Sequence, residues 1–222
     1  MKVTHNLKNI HEKIIEACQK SGRNPEEVKL VAVTKYVSSE RALEALDAGV
    51  VHLGENRDEG LLAKWEVLKN RPTWHFIGSL QTRKVKAIID IVEYIHSLDR
   101  MTLADEIQKR ASNPIKCFIQ VNVSGEESKH GITPSEALDF VRALSGHDKI
   151  IVDGLMTMAP LTEDEERIRH CFKELKSLRE EIQQLHIENS PCKELSMGMS
   201  NDFHIAIEEG ATFVRIGTAL VG

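Results

Sequence analysis

Cysteine is sparse and scattered in this sequence of 222 residues: the four, at positions 18, 117, 171 and 192, form no close pair. That excludes CxxC redox chemistry and cysteine-based zinc spacing, and separated thiols of this kind suit a reduced, cytosolic protein. Long apolar runs are also missing. No segment reaches the continuous length that crosses a bilayer, and the opening Met1-Lys2-Val3-Thr4-His5-Asn6 has no apolar core of a signal peptide. The expected compartment is the cytoplasm. There is no excess of positive charge: the formal net charge is −5, which gives no electrostatic ground for binding nucleic acid or an anionic membrane. His52, His75, His96, His130 and His204 show no metal-ligand spacing, and HExxH is absent. With no low-complexity stretch and no linker, a single domain over residues 1–222 is expected.

What is present is a regular alternation. Val3, Leu7, Ile10, Ile14 and Cys18 recur at steps of three or four, which predicts an amphipathic helix over 3–20. After Gly22 and Pro25, short β-type runs alternate with helical patterns to the end. Strands are expected near 30–34, 51–54, 74–78, 94–97, 117–122, 151–156, 194–196 and 213–216, beginning about 26 residues apart on average. Helix starts are marked by capping boxes at Thr133-Pro134-Ser135-Glu136 and Thr162-Glu163-Asp164-Glu165. The second leads into an apolar stripe of Ile168, Phe172, Leu175, Leu178, Ile182 and Leu185. Eight βα units with an extra N-terminal helix, able to cover the barrel floor, favour an α/β fold closed as a (β/α)8 TIM barrel over an open sheet. In such a barrel functional groups gather where strands end.

Polar residues collect at that end. Lys35 closes the first apolar run, Leu30-Val31-Ala32-Val33-Thr34-Lys35. A lysine desolvated in a barrel mouth can lose its proton and hold a carbonyl compound as an imine, whereas a solvated one only begins a loop. Late in the chain come Ser196-Met197-Gly198-Met199-Ser200-Asn201 and Arg215-Ile216-Gly217-Thr218. Loops after strands seven and eight often hold phosphate. Ser196, Ser200 and Thr218 offer hydroxyls, Gly198 and Gly217 allow close backbone approach, and the short helix opened by Asn201-Asp202 and ended by Gly210 turns its N-terminus toward them. Arg215 lies within the last strand, either in a structural ion pair or facing a ligand; opposite a pyridine nitrogen its fixed charge would disfavour protonation of the ring. Met156 is a packing residue or a ring contact, His75 and His96 read as core histidines, and Asn56 stands at the end of the second strand. An aldehyde-holding lysine with a phosphate cradle describes a pyridoxal phosphate site; a barrel for another phosphorylated metabolite, with Lys35 as counter-charge, is the simpler alternative.

The ordered blocks Val31-Ala32-Val33-Thr34-Lys35, Gly54-Glu55-Asn56-Arg57, Trp74-His75-Phe76-Ile77-Gly78-Ser79-Leu80-Gln81, Gln120-Val121-Asn122-Val123, Gly154-Leu155-Met156-Thr157-Met158, Glu194 to Asp202 and Arg215-Ile216-Gly217-Thr218 span nearly the whole chain. Together they resemble the pyridoxal phosphate homeostasis protein family, also called the YggS or PROSC family. The resemblance implies a barrel like the N-terminal domain of alanine racemase. It also implies pyridoxal 5'-phosphate held as a Schiff base on Lys35, with storage, buffering or delivery of the cofactor to apoenzymes and no established turnover. The implied cofactor-binding set is Lys35, Asn56, Met156, Ser196, Gly198, Met199, Ser200, Arg215, Gly217 and Thr218, with no catalytic or metal-ligating residue. Two departures stand out: Thr82-Arg83-Lys84 where many relatives have asparagine before the lysine, and Ala219-Leu220-Val221-Gly222 without the usual aromatic residue.

A racemase or decarboxylase on the same barrel is the enzymatic alternative. Such relatives carry a further β-domain, for which this sequence leaves no stretch after Gly222. They also need a second acid/base, and the only tyrosines are Tyr36, expected to point away from Lys35, and Tyr94, expected at the opposite end. A monomer is expected.

Overall fold

Eight short strands hydrogen-bond in chain order into a closed parallel barrel. The computed structural model describes residues 2–222. The strands are β1 (Lys29–Val33), β2 (His52–Glu55), β3 (Thr73–Phe76), β4 (Tyr94–Leu98), β5 (Ile115–Gln120), β6 (Ile150–Met156), β7 (Glu194–Ser196) and β8 (Phe213–Ile216). Parallel neighbours need crossovers, and helices supply them. These are α2 (Ser39–Asp47), α3 (Asp58–Leu68), α4 (Val85–Ile88), α5 (Met101–Arg110), α6 (Ala137–Ala143), α7 (Glu165–Gln183) and α8 (Phe203–Glu208). The helices α1 (Lys2–Ser21) and α9 (Thr218–Val221) begin and end the described chain. Each expected strand is present, with bounds shifted by two residues at most.

Side chains alternate across the barrel wall. Val31, Tyr94, Phe118, Met156 and Phe213 fill the axis as one apolar cluster. Leu30, Ala32, Val214 and Ile216 point the other way, into the layer shared with the helices. This double burial explains why the strands read as nearly continuous apolar runs. The ladder between β7 and β8 is the shortest in the wall, with Ser196 opposite Phe213 as its one paired position, and bonds from Thr212, Met197 and Arg215 N–H to the Leu195, Phe213 and Gly198 carbonyls extend it.

Two expectations change in detail. The helix α1 does not cap the floor: its apolar face of Val3, Leu7, Ile10, Ile14 and Cys18 packs on the barrel flank, against α8 and α9. Only His11, Ile14 and Ile15 border a floor cavity of about 390 Å³. The reason lies at the chain's far end, where the short α8 and α9 leave a flank that a long helix can bury. The start of α7 moves as well. Asp164, not Thr162, is the cap, its carboxylate accepting from the amides of Glu166 and Arg167, while Thr162 Oγ1 accepts from Asp164 N–H. The box at Thr133–Glu136 forms as read and starts a short 3-10 turn that runs into α6.

Candidate functional site at the C-terminal mouth of the barrel

The loops after β7 and β8 leave backbone donors free. Among the described residues, the amides of Gly198, Ser200 and Asn201 in one loop, and of Gly217, Thr218 and Ala219 in the other, make no hydrogen bond within the protein. Gly198 is buried, Ser200 and Gly217 are half-buried, and Asn201, Thr218 and Ala219 are exposed; grouped amides without protein partners form a concavity that attracts an anion. Gly198 holds the first loop in a left-handed conformation, φ +92°, and a Cβ there would lie 2.6 Å from the Ala206 Cβ and 2.9 Å from the Phe203 Cα. Its glycine is thus required by the loop's contact with α8. The Met199 amide is not free, since it donates to the Asp202 carboxylate at 2.5 Å; Met199 can offer only its exposed side chain. Ser200 is half-buried and Thr218 exposed, neither hydroxyl being engaged among the described residues.

Ser196 corrects the sequence reading. It is the last residue of β7 and fully buried, so its hydroxyl points into the barrel axis and not toward the loop cradle. There Ser196 Oγ accepts from Arg215 Nη1 at 2.5 Å and lies 2.8 Å from His96 Nδ1. Arg215 Nη2 donates to the Thr157 carbonyl at 2.9 Å, and its main-chain N–H to the Gly198 carbonyl. Arg215 makes no ion pair among the described residues; the structural-pair alternative is not realised. Burial pulls its guanidinium down to about 10, and the nearby Asp202 acts in the opposite sense. Burial also raises the Asp202 carboxyl.

Below Arg215 runs a row of core histidines that sequence reasoning treated one by one. His96 Nε2 is 2.8 Å from His75 Nδ1, and His75 Nε2 is 3.0 Å from His52 Nδ1. Burial holds His75 and His96 well below the usual imidazole range and takes His52 down to about 4. Tyr94 stacks on His75, ring centroids 4.5 Å apart, and its hydroxyl accepts from Lys116 on the floor side. Met156 is buried within the axial cluster.

The Lys35 turn lies beside the β8 loop, since β1 pairs with β8. The ladder of β1 ends at Val33, and a turn closed by Val37 N–H donating to the Thr34 carbonyl throws Lys35 and Tyr36 outward. Lys35 is therefore exposed, not sheltered as a desolvated amine, and its Nζ sits 4.9 Å over the Tyr36 ring. The two side chains do not diverge because the strand does not persist. Beneath the turn, Thr34 Oγ1 donates to Glu55 Oε1 at 2.6 Å, and Lys64 Nζ pairs with the same oxygen at 3.0 Å. All three are buried, and Glu55 Oε2 has no partner among the described residues. Gly60 makes room for that oxygen, 2.8 Å from where its Cβ would be. Gly217 packs on Val33, bringing the β8 loop against the strand that carries Lys35.

Asn56 is half-buried and lines a separate cavity of about 440 Å³ with Asp58, Gln81 and Lys84. At the departure from the family pattern, Arg83 donates to Gln81 Oε1, and Lys84 pairs with Asp58 and Glu59. The other departure sits in α9, where Leu220 and Val221 are buried and Asn6 donates to the Leu220 carbonyl.

Comparison with known proteins agrees with the fold. The family model of the alanine racemase N-terminal domain matches residues 4–222. A pyridoxal phosphate homeostasis protein of Aquifex aeolicus is 44% identical over all of this chain and 98% of its own length. A crystal structure from Bifidobacterium adolescentis superposes with a TM-score of 0.95 at 34% identity, covering 99% of this chain and 94% of that one. PipY of Synechococcus elongatus PCC7942, solved with PLP bound, gives 0.85 at 30% identity over 99% of this chain and all of its own. With its eight-stranded barrel and its full-length likeness to curated members, this chain belongs to the family of pyridoxal phosphate homeostasis proteins.

Proposed function

We propose that this protein binds pyridoxal 5'-phosphate at the mouth of its barrel and stores, buffers or delivers it, without turnover of a substrate. The observation that carries the reading is the meeting of two features at the mouth: six amides without protein partners in the loops after β7 and β8, where a buried, carboxylate-free arginine sits on β8, and an exposed primary amine on the turn after the neighbouring β1. The relatives' names and the PLP-bound PipY structure support it. The residues fit the group. The amides of Gly198, Ser200, Asn201, Gly217, Thr218 and Ala219 are donors suited to a phosphate, Arg215 and Met156 border the axis where a ring would lie, and Lys35 offers its amine from the exposed turn after β1. When bound, the cofactor supplies an aldehyde carbon that a neutral primary amine can hold covalently, with loss of one water.

The residues divide the work. Arg215, a donor that stays charged near neutral pH, would hold the ring nitrogen as a hydrogen-bond donor and disfavour its protonation, which would weaken the ring as an electron sink. This suits carriage better than α-proton chemistry. The exposed turn would leave the carbon held by Lys35 Nζ open to attack by an incoming amine, which takes over the link as Lys35 leaves as the free amine. We further infer a single-domain monomer of the cytoplasm whose macromolecular partners are transient, PLP-dependent apoenzymes. Among the described residues no helix is long and apolar enough to cross a membrane.

Borohydride reduction after addition of pyridoxal phosphate tests this. One adduct, mapped by mass to Lys35 and lost in Lys35→Ala, is expected. An adduct on another lysine, or undiminished covalent retention in Lys35→Ala, overturns the assignment. Rapid exchange of amino-acid α-hydrogens in heavy water by the loaded protein would instead show a racemase-type enzyme.

A further inference from the structure

We propose that His52, His75, His96 and Ser196 form a one-directional hydrogen-bonded row that positions Arg215, fixing Ser196 as its acceptor. Direction follows from donor chemistry. A guanidinium has only donors, so Ser196 Oγ accepts from Arg215 Nη1. Ser196 is fully buried, and its Oγ has His96 Nδ1 as its one other partner among the described residues. The hydroxyl proton therefore goes to His96 Nδ1, which must be bare. A neutral imidazole with Nδ1 bare carries its proton on Nε2, and His96 Nε2–H donates to His75 Nδ1. The same logic passes to His75 Nε2–H and His52 Nδ1. His52 Nε2–H then points out of the row at the half-buried floor end, beside the cavity that His11 and Ile15 border. In the opposite order two donors would converge on Ser196 Oγ and its own proton would be orphaned, which costs about 1–3 kcal/mol in a buried site.

Neutrality is enforced from every side. His96 faces Arg215 and His75 and stacks on Phe118, with centroids 4.3 Å apart. His75 faces His52, His96 and the Tyr94 ring, with Lys29 and Lys116 adding positive charge from the floor. A second proton on His96 would set an imidazolium beside Arg215, and at the floor end, where Lys29 is paired with Glu194, burial opposes one on His75.

Such a row resembles a proton wire, but it ends on a group that does not release a proton near neutral pH. Its role is orientation. The bonds to Ser196 and to the Thr157 carbonyl fix the plane of the guanidinium, and the remaining N–H groups are left for a ligand. What those groups face rests on the pyridoxal phosphate reading; the tautomer order does not.

Long-range proton–nitrogen correlation on ligand-free protein labelled at histidine nitrogens tests the row directly. All three core imidazoles are expected neutral with the proton on Nε2 at pH 7. Any of them protonated on Nδ1, or charged, overturns the proposal. Ser196→Ala removes the source of direction, and His96 should populate both tautomers, with His75 following. An unchanged pure Nε2–H form in that variant also overturns it, and Ser196→Cys, which keeps a weak donor, should restore the order. With pyridoxal phosphate bound, the pH midpoint of its absorbance should move by about one unit in Ser196→Ala; a role in packing alone would leave it in place and contradict the positioning function. A wild type that takes up no cofactor sinks the carrier reading, while the nitrogen spectra still decide the row.

Discussion

Two cations are buried at the mouth of this barrel, and they are treated in opposite ways. Lys64 is paired with Glu55, whose carboxylate also accepts from Thr34, so the charge is answered inside the protein. Arg215, equally buried, meets a hydroxyl and a carbonyl but no carboxylate. A buried charge that evolution leaves without its counter-charge contributes little to stability and retains its donors for something else. The difference separates a structural cation, beneath the turn that presents Lys35, from one reserved for a ligand.

Substitution is the direct way to break that comparison. Lys64→Met leaves the Glu55 carboxylate buried and without its cation, and should lower the unfolding free energy by about 3–5 kcal/mol in urea titrations. Arg215→Met should leave stability unchanged or raised while cofactor uptake collapses, as expected when a charge serves binding. Equal destabilisation by the two would erase the distinction. Next in size is Gly198→Ala. The positive φ and the crowding against Ala206 predict a loss of about 1–3 kcal/mol by thermal unfolding, with weaker phosphate affinity because the loop must shift.

The smallest effect is a pH dependence. The three core histidines resist protonation when folded, whereas in the unfolded chain they titrate near 6.5. Below about 6.5 the unfolded chain therefore takes up protons that the folded protein refuses, and stability falls as acid is added, for His52 until its folded value near 4. Asp153 and Asp202, raised by burial, act in the opposite sense. His52→Gln isolates the effect: its melting temperature should fall less than the wild type's between pH 7 and 5.

The barrel was legible because parallel strands buried on both faces write themselves as apolar runs, and the intervals between them were regular. The loops after β7 and β8 were legible for the same reason, since position after the last strands marks them. Three features were not. Ser196 looks like a loop donor in the linear pattern, but the parity of β7 turns it inward. The row from His52 to His96 depends on the register of β2, β3 and β4, which no spacing reveals, although each histidine falls on an axis-facing position. The Glu55–Lys64 pair joins a strand to a helix, with polar residues that a linear reading assigns to the surface. The exposure of Lys35 was hidden too: β1 stops at Val33, one residue short of the expected end, and the turn that follows puts in solvent an amine expected to be sheltered.

The thin join between β7 and β8 has a consequence of its own. The amides proposed to grip phosphate come from the loops on either side of it, so a bound anion would act as a clasp across the shortest ladder of the cylinder wall. Loading should then slow amide exchange most at Met197, Gly198 and Arg215, and the vessel would be tightest when full.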